Sequence, residues 1–148
     1  LPGNPADALN GLESVESGGR WSRPGTPLVY LCTTPALACL ETLVHLEPGP
    51  LPEDRFLVAV EVPPDLWAGR LRFDPAQFPG WDAVPHGPVS LDWGMHWIEG
   101  QRSVLACVPS AIAPEVSNLL LNPAHPDAAR ISARKQRRWH YDPRLRRG

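Results

Sequence analysis

Proline recurs 19 times in this chain of 148 residues. A residue that cannot donate to a strand ladder and that ends helices keeps secondary elements short. The spacing therefore predicts brief strands and helices joined by many ordered loops, and it argues against a helical bundle. The length suits a single domain with a real core, taken here as residues 1–148 with an extended N-terminal lead over 1–17 and a basic C-terminal segment over 130–148.

Within that limit, apolar patterning marks the elements. "PLVYLC" is β-branched and apolar enough for a buried strand ending near Thr33. A helix should follow, with Thr34 as its cap, Pro35 in its first turn and "ALACLETLVHL" continuing to Pro48. Leu37, Leu40, Leu43 and Val44 form its core stripe, with Glu41 beside the stripe and His45 one turn further along the same flank. "RFLVAVEV" alternates Phe56, Val58, Val60 and Val62 with Leu57, Ala59 and Glu61, the pattern of a central strand. Residues 63–87 read as loops with a short turn or two, and "SLDWGMHWIEG" as a short helix closed by Gly100. "SVLACVPSAI" gives a strand ending at Pro109 and Ser110, "NLLLNP" another, and "AARISA" and "RWHYD" two weaker ones. Without a strand–helix rhythm or an internal repeat, the fold class is α+β with mostly antiparallel strands.

Several side chains carry chemical potential. Arg20 follows a glycine pair that frees the backbone, and its guanidinium can grip phosphate or carboxylate in a fork or lie on the surface. Tyr30 is a core aromatic or a ring on which a ligand stacks. Glu41 is a half-exposed helix carboxylate or the stabiliser of an oxocarbenium-like transition state. His45 can serve as a cation at a helix C-terminus. Ser110 can cap a turn or touch a ligand, and Asn122 and His125 in "NPAHPD" order a turn.

Other classes are disfavoured. No apolar run approaches the length of a membrane helix and no signal-peptide pattern opens the chain, so a cytoplasmic protein is expected. Cys32, Cys39 and Cys107 sit in apolar runs as reduced, buried thiols, and no metal-ligand spacing is present, so no metal is expected. There is no serine-hydrolase elbow and no phosphate-binding glycine loop. Residues 130–148 hold eight of the 14 basic residues against Asp142 alone, while the remainder is strongly acidic. This end attracts anionic partners or contacts the acidic body, and its few aromatics argue against single-stranded nucleic acid.

Taken together, "GGRWS", "VYL", "ALACLETLVH", "VPSAIAPEVSNLLLNPAHPD" and "DPRL" cover nearly the whole chain, and their order and spacing resemble the RES-domain toxins of bacterial toxin–antitoxin pairs. The family usually has asparagine where this chain has Ser22, and an arginine near its N-terminus has no counterpart here. The resemblance implies an ADP-ribosyltransferase-like fold, a split antiparallel sheet with flanking short helices. It implies NAD+ as substrate, cleavage of the nicotinamide–ribose bond, and a cognate antitoxin covering the site. On this resemblance Arg20 anchors the pyrophosphate or nearby ribose, Tyr30 packs on the nicotinamide end, Glu41 stabilises the oxocarbenium, Ser110 lines the pocket and His45 orients Glu41 or the acceptor. The acceptor is water, phosphate or a protein such as a nucleotide-synthesis enzyme. A non-catalytic binding module is the rival reading, and neither membrane nor nucleic acid is an expected partner.

Overall fold

A computed structural model describes residues 5–145. Two sheets organise the chain. The larger has strand order β1-β5-β4-β3, built from β1 (Val29–Cys32), β5 (Ser117–Leu121), β4 (Leu105–Pro109) and β3 (Leu71–Arg72). The smaller pairs β2 (Arg55–Glu61) with β6 (Ser132–Trp139). Helices α1 (Glu13–Ser17), α2 (Pro35–Leu43), α3 (Pro64–Ala68) and α4 (Pro88–Gly100) are short, with single 3-10 turns between elements. The result is the split-sheet α+β fold that the sequence led one to expect, except that β3 runs parallel to β4.

Alternation of side chains sends successive residues of the central strands to opposite faces, and both faces are covered. One face joins Leu28, Ala106, Val108 and Leu120 to Trp21, Phe73, Trp81, Trp97 and Ile98. The other joins Val29, Leu105 and Leu121 to Leu66, Val104 and Ile131, with Val60 and Val62 packed alongside. This double burial is why "VLACV" and "NLLL" read as continuous apolar runs. On the first face the rows end in polar groups: Leu28 is followed by Tyr30 and Cys32, Leu120 is preceded by Asn118, and Val108 is followed by Ser110. The register sets Tyr30 across from Leu120, and Asn118 across from both Cys32 and Val108.

Several elements depart from expectation. Residues 5–9 and 13–17 are helical turns and not an extended lead, and buried Ser14 ties the second of them down: its hydroxyl accepts the Leu28 N–H at 2.8 Å and meets the Thr26 carbonyl at 3.0 Å. Residues 1–4 of that lead lie outside the described residues. Helix α2 is capped by the Thr34 hydroxyl, which accepts the Leu37 N–H, but it stops at Leu43. Of the expected core stripe only Leu37 is buried, whereas Leu40 is 39% and Val44 57% exposed, so nothing packs against a further turn. Strand β2 is not central. Among the described residues it pairs with β6 alone, and its inward side chains reach the second core only near Val60.

One strand, β6, takes in only Ser132 and Ala133 of the first weaker candidate and Arg138 and Trp139 of the second, with residues 134–137 between them, and it begins after a 3-10 turn over Pro126–Arg130. It holds without an apolar stripe because Lys135 lies over the Phe56 ring, Arg137 over Trp139, and Arg134 pairs with Glu61. Arg130 forks onto Asp65 at 2.7 and 2.8 Å, so the basic segment does contact the acidic body. Residues 146–148 of the segment lie outside the described residues. Within 63–87 the chain forms α3 and β3 as well as turns, and α4 is closed by Gln101 in the left-handed region, φ 50°, and not by Gly100. The three cysteines are free but only partly buried. Asn122 and His125 do order their turn, accepting the Ala124 and Asp127 N–H groups. Among the described residues no helix is long and apolar enough to cross a membrane.

Helix α4 covers the first face by bringing Gly94 onto the Trp21 backbone, where a Cβ would collide with the Trp21 carbonyl. Trp21 in turn meets Phe73 edge-on at 4.9 Å and Trp93 at 5.6 Å. Gly94→Ala should therefore cost roughly 1–3 kcal/mol or more through overpacking. Gly100→Ala, where a Cβ meets nothing within 4 Å, should stabilise by up to about 1 kcal/mol through helix propensity. Thermal and denaturant unfolding of the two variants checks both signs.

Candidate active site

The glycine pair builds a tight turn. Gly18 takes φ 68°, and the Gly19 N–H donates to the Ser22 carbonyl at 2.9 Å, closing a bridge with Arg20 and Trp21 at its tip. Gly19 is required because the Tyr30 hydroxyl occupies the place of a Cβ. Trp21 plugs into the aromatic core, and this fixes Arg20 beside it. The Arg20 Nη1 donates to the carbonyls of Trp81 at 2.9 Å and Ala83 at 2.8 Å, leaving Nε and Nη2 without a protein partner among the described residues. Burial lowers the Arg20 pKa, opposed by the charges of Asp82, Glu41 and Tyr30. A guanidinium titrates so high that the group stays a cation.

Tyr30 projects from β1 beside this turn. Its hydroxyl accepts the Trp21 N–H at 3.3 Å and pairs with the Ser22 hydroxyl at 2.9 Å, while 42% of the residue is exposed. Burial of the phenol raises its pKa, against the opposing effects of Ser22, Trp21 and Arg20. Ser22 is fully buried and helps anchor the ring.

Glu41 reaches from α2 to the polar end of the sheet. Its Oε1 accepts the Ser110 hydroxyl at 2.6 Å and the Asn118 Nδ2 at 2.8 Å, whereas Oε2 takes no hydrogen bond from any described residue. Behind them, Ser110 Oγ accepts the N–H groups of Ile112 at 3.1 Å and Ala113 at 3.2 Å, and the Cys32 thiol donates to Asn118 Oδ1 at 3.3 Å. Burial, with the nearby Glu41 charge, pushes the Cys32 thiol up to about 11. The arrangement presents a carboxylate with one oxygen fixed and the other open, within electrostatic range of a half-buried arginine.

Arg20, Tyr30, Glu41 and Ser110 thus converge on one end of the sheet. Ser110 is fully buried, so it reaches a substrate only through Glu41. His45 stands apart: it is exposed in the turn after α2 and makes no side-chain hydrogen bond to the other four. Asn118, Cys32 and Ser22 were not singled out from the sequence as members of the site. The available signal for Asn118 was a polar residue two positions from Leu120 in an apolar strand. Among the described residues no group of three metal-ligating side chains gathers. A cavity of about 410 Å³ lies elsewhere, between residues such as Leu51, Arg138, His140 and Tyr141, and includes none of these groups.

The RES domain family matches residues 2–143. This chain belongs to the RES-domain family. The RES domain here is 51% identical over 141 residues to the Prs ADP-ribosylating toxin of Sphingobium sp., covering 95% of this chain and 88% of that protein. It is 39% identical over 122 residues to Toxin Res of Pseudomonas putida, covering 81% of each. With Toxin Res of Yersinia enterocolitica the identity is 31% over 143 residues, covering 95% and 92%. The likeness spans the turn that holds Arg20, the helix of Glu41 and the strands that carry Tyr30 and Asn118.

The raised thiol carries a pH signature. A folded-state value near 11 against an ordinary 9.0 means the native protein holds the proton more firmly, so stability is full below pH 9 and declines as pH rises toward 11. Tyr30 acts in the same direction at its own, higher pH. Iodoacetamide at pH 8 should label Cys32 in the native protein more than about tenfold more slowly than in the unfolded chain. Peptide mapping of the labelled protein reads this directly, and equal rates would contradict the environment described.

Proposed function

We propose that this RES domain is the toxin of a toxin–antitoxin pair that binds NAD+ and cleaves its nicotinamide–ribose bond, consuming NAD+ or passing ADP-ribose to an acceptor. The observation that carries the reading is the Glu41 carboxylate, held through Oε1 by Ser110 and Asn118 with Oε2 open. In NAD+ the nicotinamide is already cationic. The carbon–nitrogen bond breaks with both electrons passing to the ring nitrogen, which becomes neutral and leaves. Positive charge then develops on the ribose, and an open carboxylate oxygen fixed before the reaction is the group that stabilises it. An acceptor's lone pair forms the new bond to the anomeric carbon and the acceptor sheds a proton.

The remaining groups suit the same substrate. Arg20, pinned by two carbonyls through Nη1, keeps Nε and Nη2 for the pyrophosphate. Tyr30, with its hydroxyl tethered, offers its ring to the nicotinamide end. His45, exposed beyond α2, is left for the acceptor side.

Transfer to a protein is the variant that the name of the Sphingobium relative supports. A macromolecular partner, acceptor or cognate antitoxin, would also find apolar side chains near Glu41: Leu40 and Val44 on α2, and Ile112 and Val116 in the loop after Ser110, are all more than a third exposed.

Purified protein given NAD+, with and without cell lysate, should release nicotinamide, and Glu41→Gln should lower the rate on the order of 100-fold to 1000-fold. The mass of the ADP-ribose product identifies the acceptor as water, phosphate or protein. Arg20→Lys keeps the charge but loses the fork, and should raise KM about tenfold with a smaller change in kcat. A wild-type rate in Glu41→Gln would contradict the role given to that carboxylate, and no release by folded protein, with or without lysate, would leave the binding-module reading in its place.

A further inference from the structure

The direction of each hydrogen bond around Glu41 is decided by the layer behind it. Ser110 Oγ accepts two backbone N–H groups, from Ile112 and Ala113, so its single proton is free only for Glu41. Asn118 has no such compulsion of its own. Its amide has a donor end and an acceptor end of nearly the same shape, and turned about it would set an oxygen against the carboxylate.

The neighbours of Asn118 remove this ambiguity. In the register it faces Val108 on one side, which offers no hydrogen bond, and Cys32 on the other. Cys32 Sγ lies 3.3 Å from Oδ1, the contact that the described residues give this oxygen. The thiol carries a proton, which burial and the nearby Glu41 charge help it keep, and the amide oxygen is the acceptor within its reach. The carboxylate only accepts, and with the thiol donating to Oδ1 both neighbours call for Nδ2 toward Glu41.

We infer that Asn118 is a positioning residue for Glu41, and that the Cys32 thiol fixes the direction of its amide so that Nδ2 holds the carboxylate oxygen Oε1. With two donors on Oε1, the carboxylate cannot rotate to offer that oxygen, and Oε2 is the one presented. The catalytic consequence rests on the proposed role of Glu41 in NAD+ cleavage, whereas the hydrogen-bonded chain itself does not. Because Arg20 and Tyr30 are untouched, loss of Asn118 should appear in kcat and not in KM.

Two measurements on the folded protein separate the claims. In substrate-free protein, the side-chain amide cross-peaks of Asn118 in a ¹⁵N–¹H spectrum should shift in Glu41→Gln and again in Cys32→Ala. Cross-peaks that stay in place in both variants overturn the inference. In the kinetic arm, Asn118→Leu should lower kcat of nicotinamide release roughly 10-fold to 100-fold, the loss expected for a hydrogen bond to a charged group, with KM within about twofold. Asn118→Asp, nearly identical in shape, should fall at least as far, which covers the case of a leucine variant that fails to fold. Cys32→Ser, which keeps a donor, should lose less than Cys32→Ala. In the Glu41→Gln background, Asn118→Leu should cost nothing further, because the two act as one unit. A purely structural asparagine would lower both backgrounds equally, and that result overturns the inference, as does a wild-type kcat in folded Asn118→Leu. Shifted cross-peaks in a wild-type protein that releases no nicotinamide would instead uphold the positioning and defeat the NAD+ reading.

Discussion

A carboxylate drawn against the end of a β-sheet needs donors, and in this fold the sheet supplies them. Glu41 projects from α2 onto the terminus of β5 and the first residue beyond β4, where Asn118 and Ser110 meet a single oxygen at 2.8 and 2.6 Å. Much of the surrounding structure can be read as the means of keeping that meeting in place. The strands are held in register by cores on both faces, α2 is started by the Thr34 cap, and the loop after β4 turns so that two backbone N–H groups close on Ser110. Hydrogen bonds to a charged group in a half-buried site are among the stronger ones in a protein.

The opposite wall is built by a different means. Arg20 is held by shape: a glycine turn, a tryptophan sunk into an aromatic cluster, and two carbonyls from the segment that precedes α4. Gly94 lets α4 lie on the Trp21 backbone, so the packing of the hydrophobic core and the location of the arginine are the same fact seen from two sides. Apolar rows that run from Leu28 to Tyr30 and from Leu120 to Asn118 carry the core directly into the site, with polarity changing at the last positions of each strand.

Legibility in the sequence followed the locality of the cause. The cap at Thr34 and Pro35, the strand before it and the apolar runs of β4 and β5 depend on adjacent residues, and they could be placed without a structure. Arg20, Tyr30, Glu41 and Ser110 were found as a set only because their order resembles a known family; singly, each had an ordinary explanation. Asn118 was hidden because its partner Cys32 is 86 residues away, and register over such a distance leaves no local period. The middle of strand β6 was hidden because cross-strand pairing and cation–π contacts replace the apolar alternation that marks a strand. The helix of Glu41 was read as too long, since periodicity continues through Val44 while the core that would cover it does not. That difference removes His45 from the helical flank it was expected to share.

On the reading proposed, the Glu41 carboxylate, held through Oε1, turns its open oxygen Oε2 to the positive charge that develops on the nicotinamide ribose. A structure of the protein bound to a carbocyclic NAD+ analogue, in which the scissile bond cannot break, tests it most directly. In the expected complex Glu41 Oε2 faces the nicotinamide ribose, Oε1 is still held by Ser110 and Asn118, and the pyrophosphate lies on the Arg20 fork. A dinucleotide bound away from Glu41, or a carboxylate that has left Ser110 and Asn118 to point elsewhere, would contradict it.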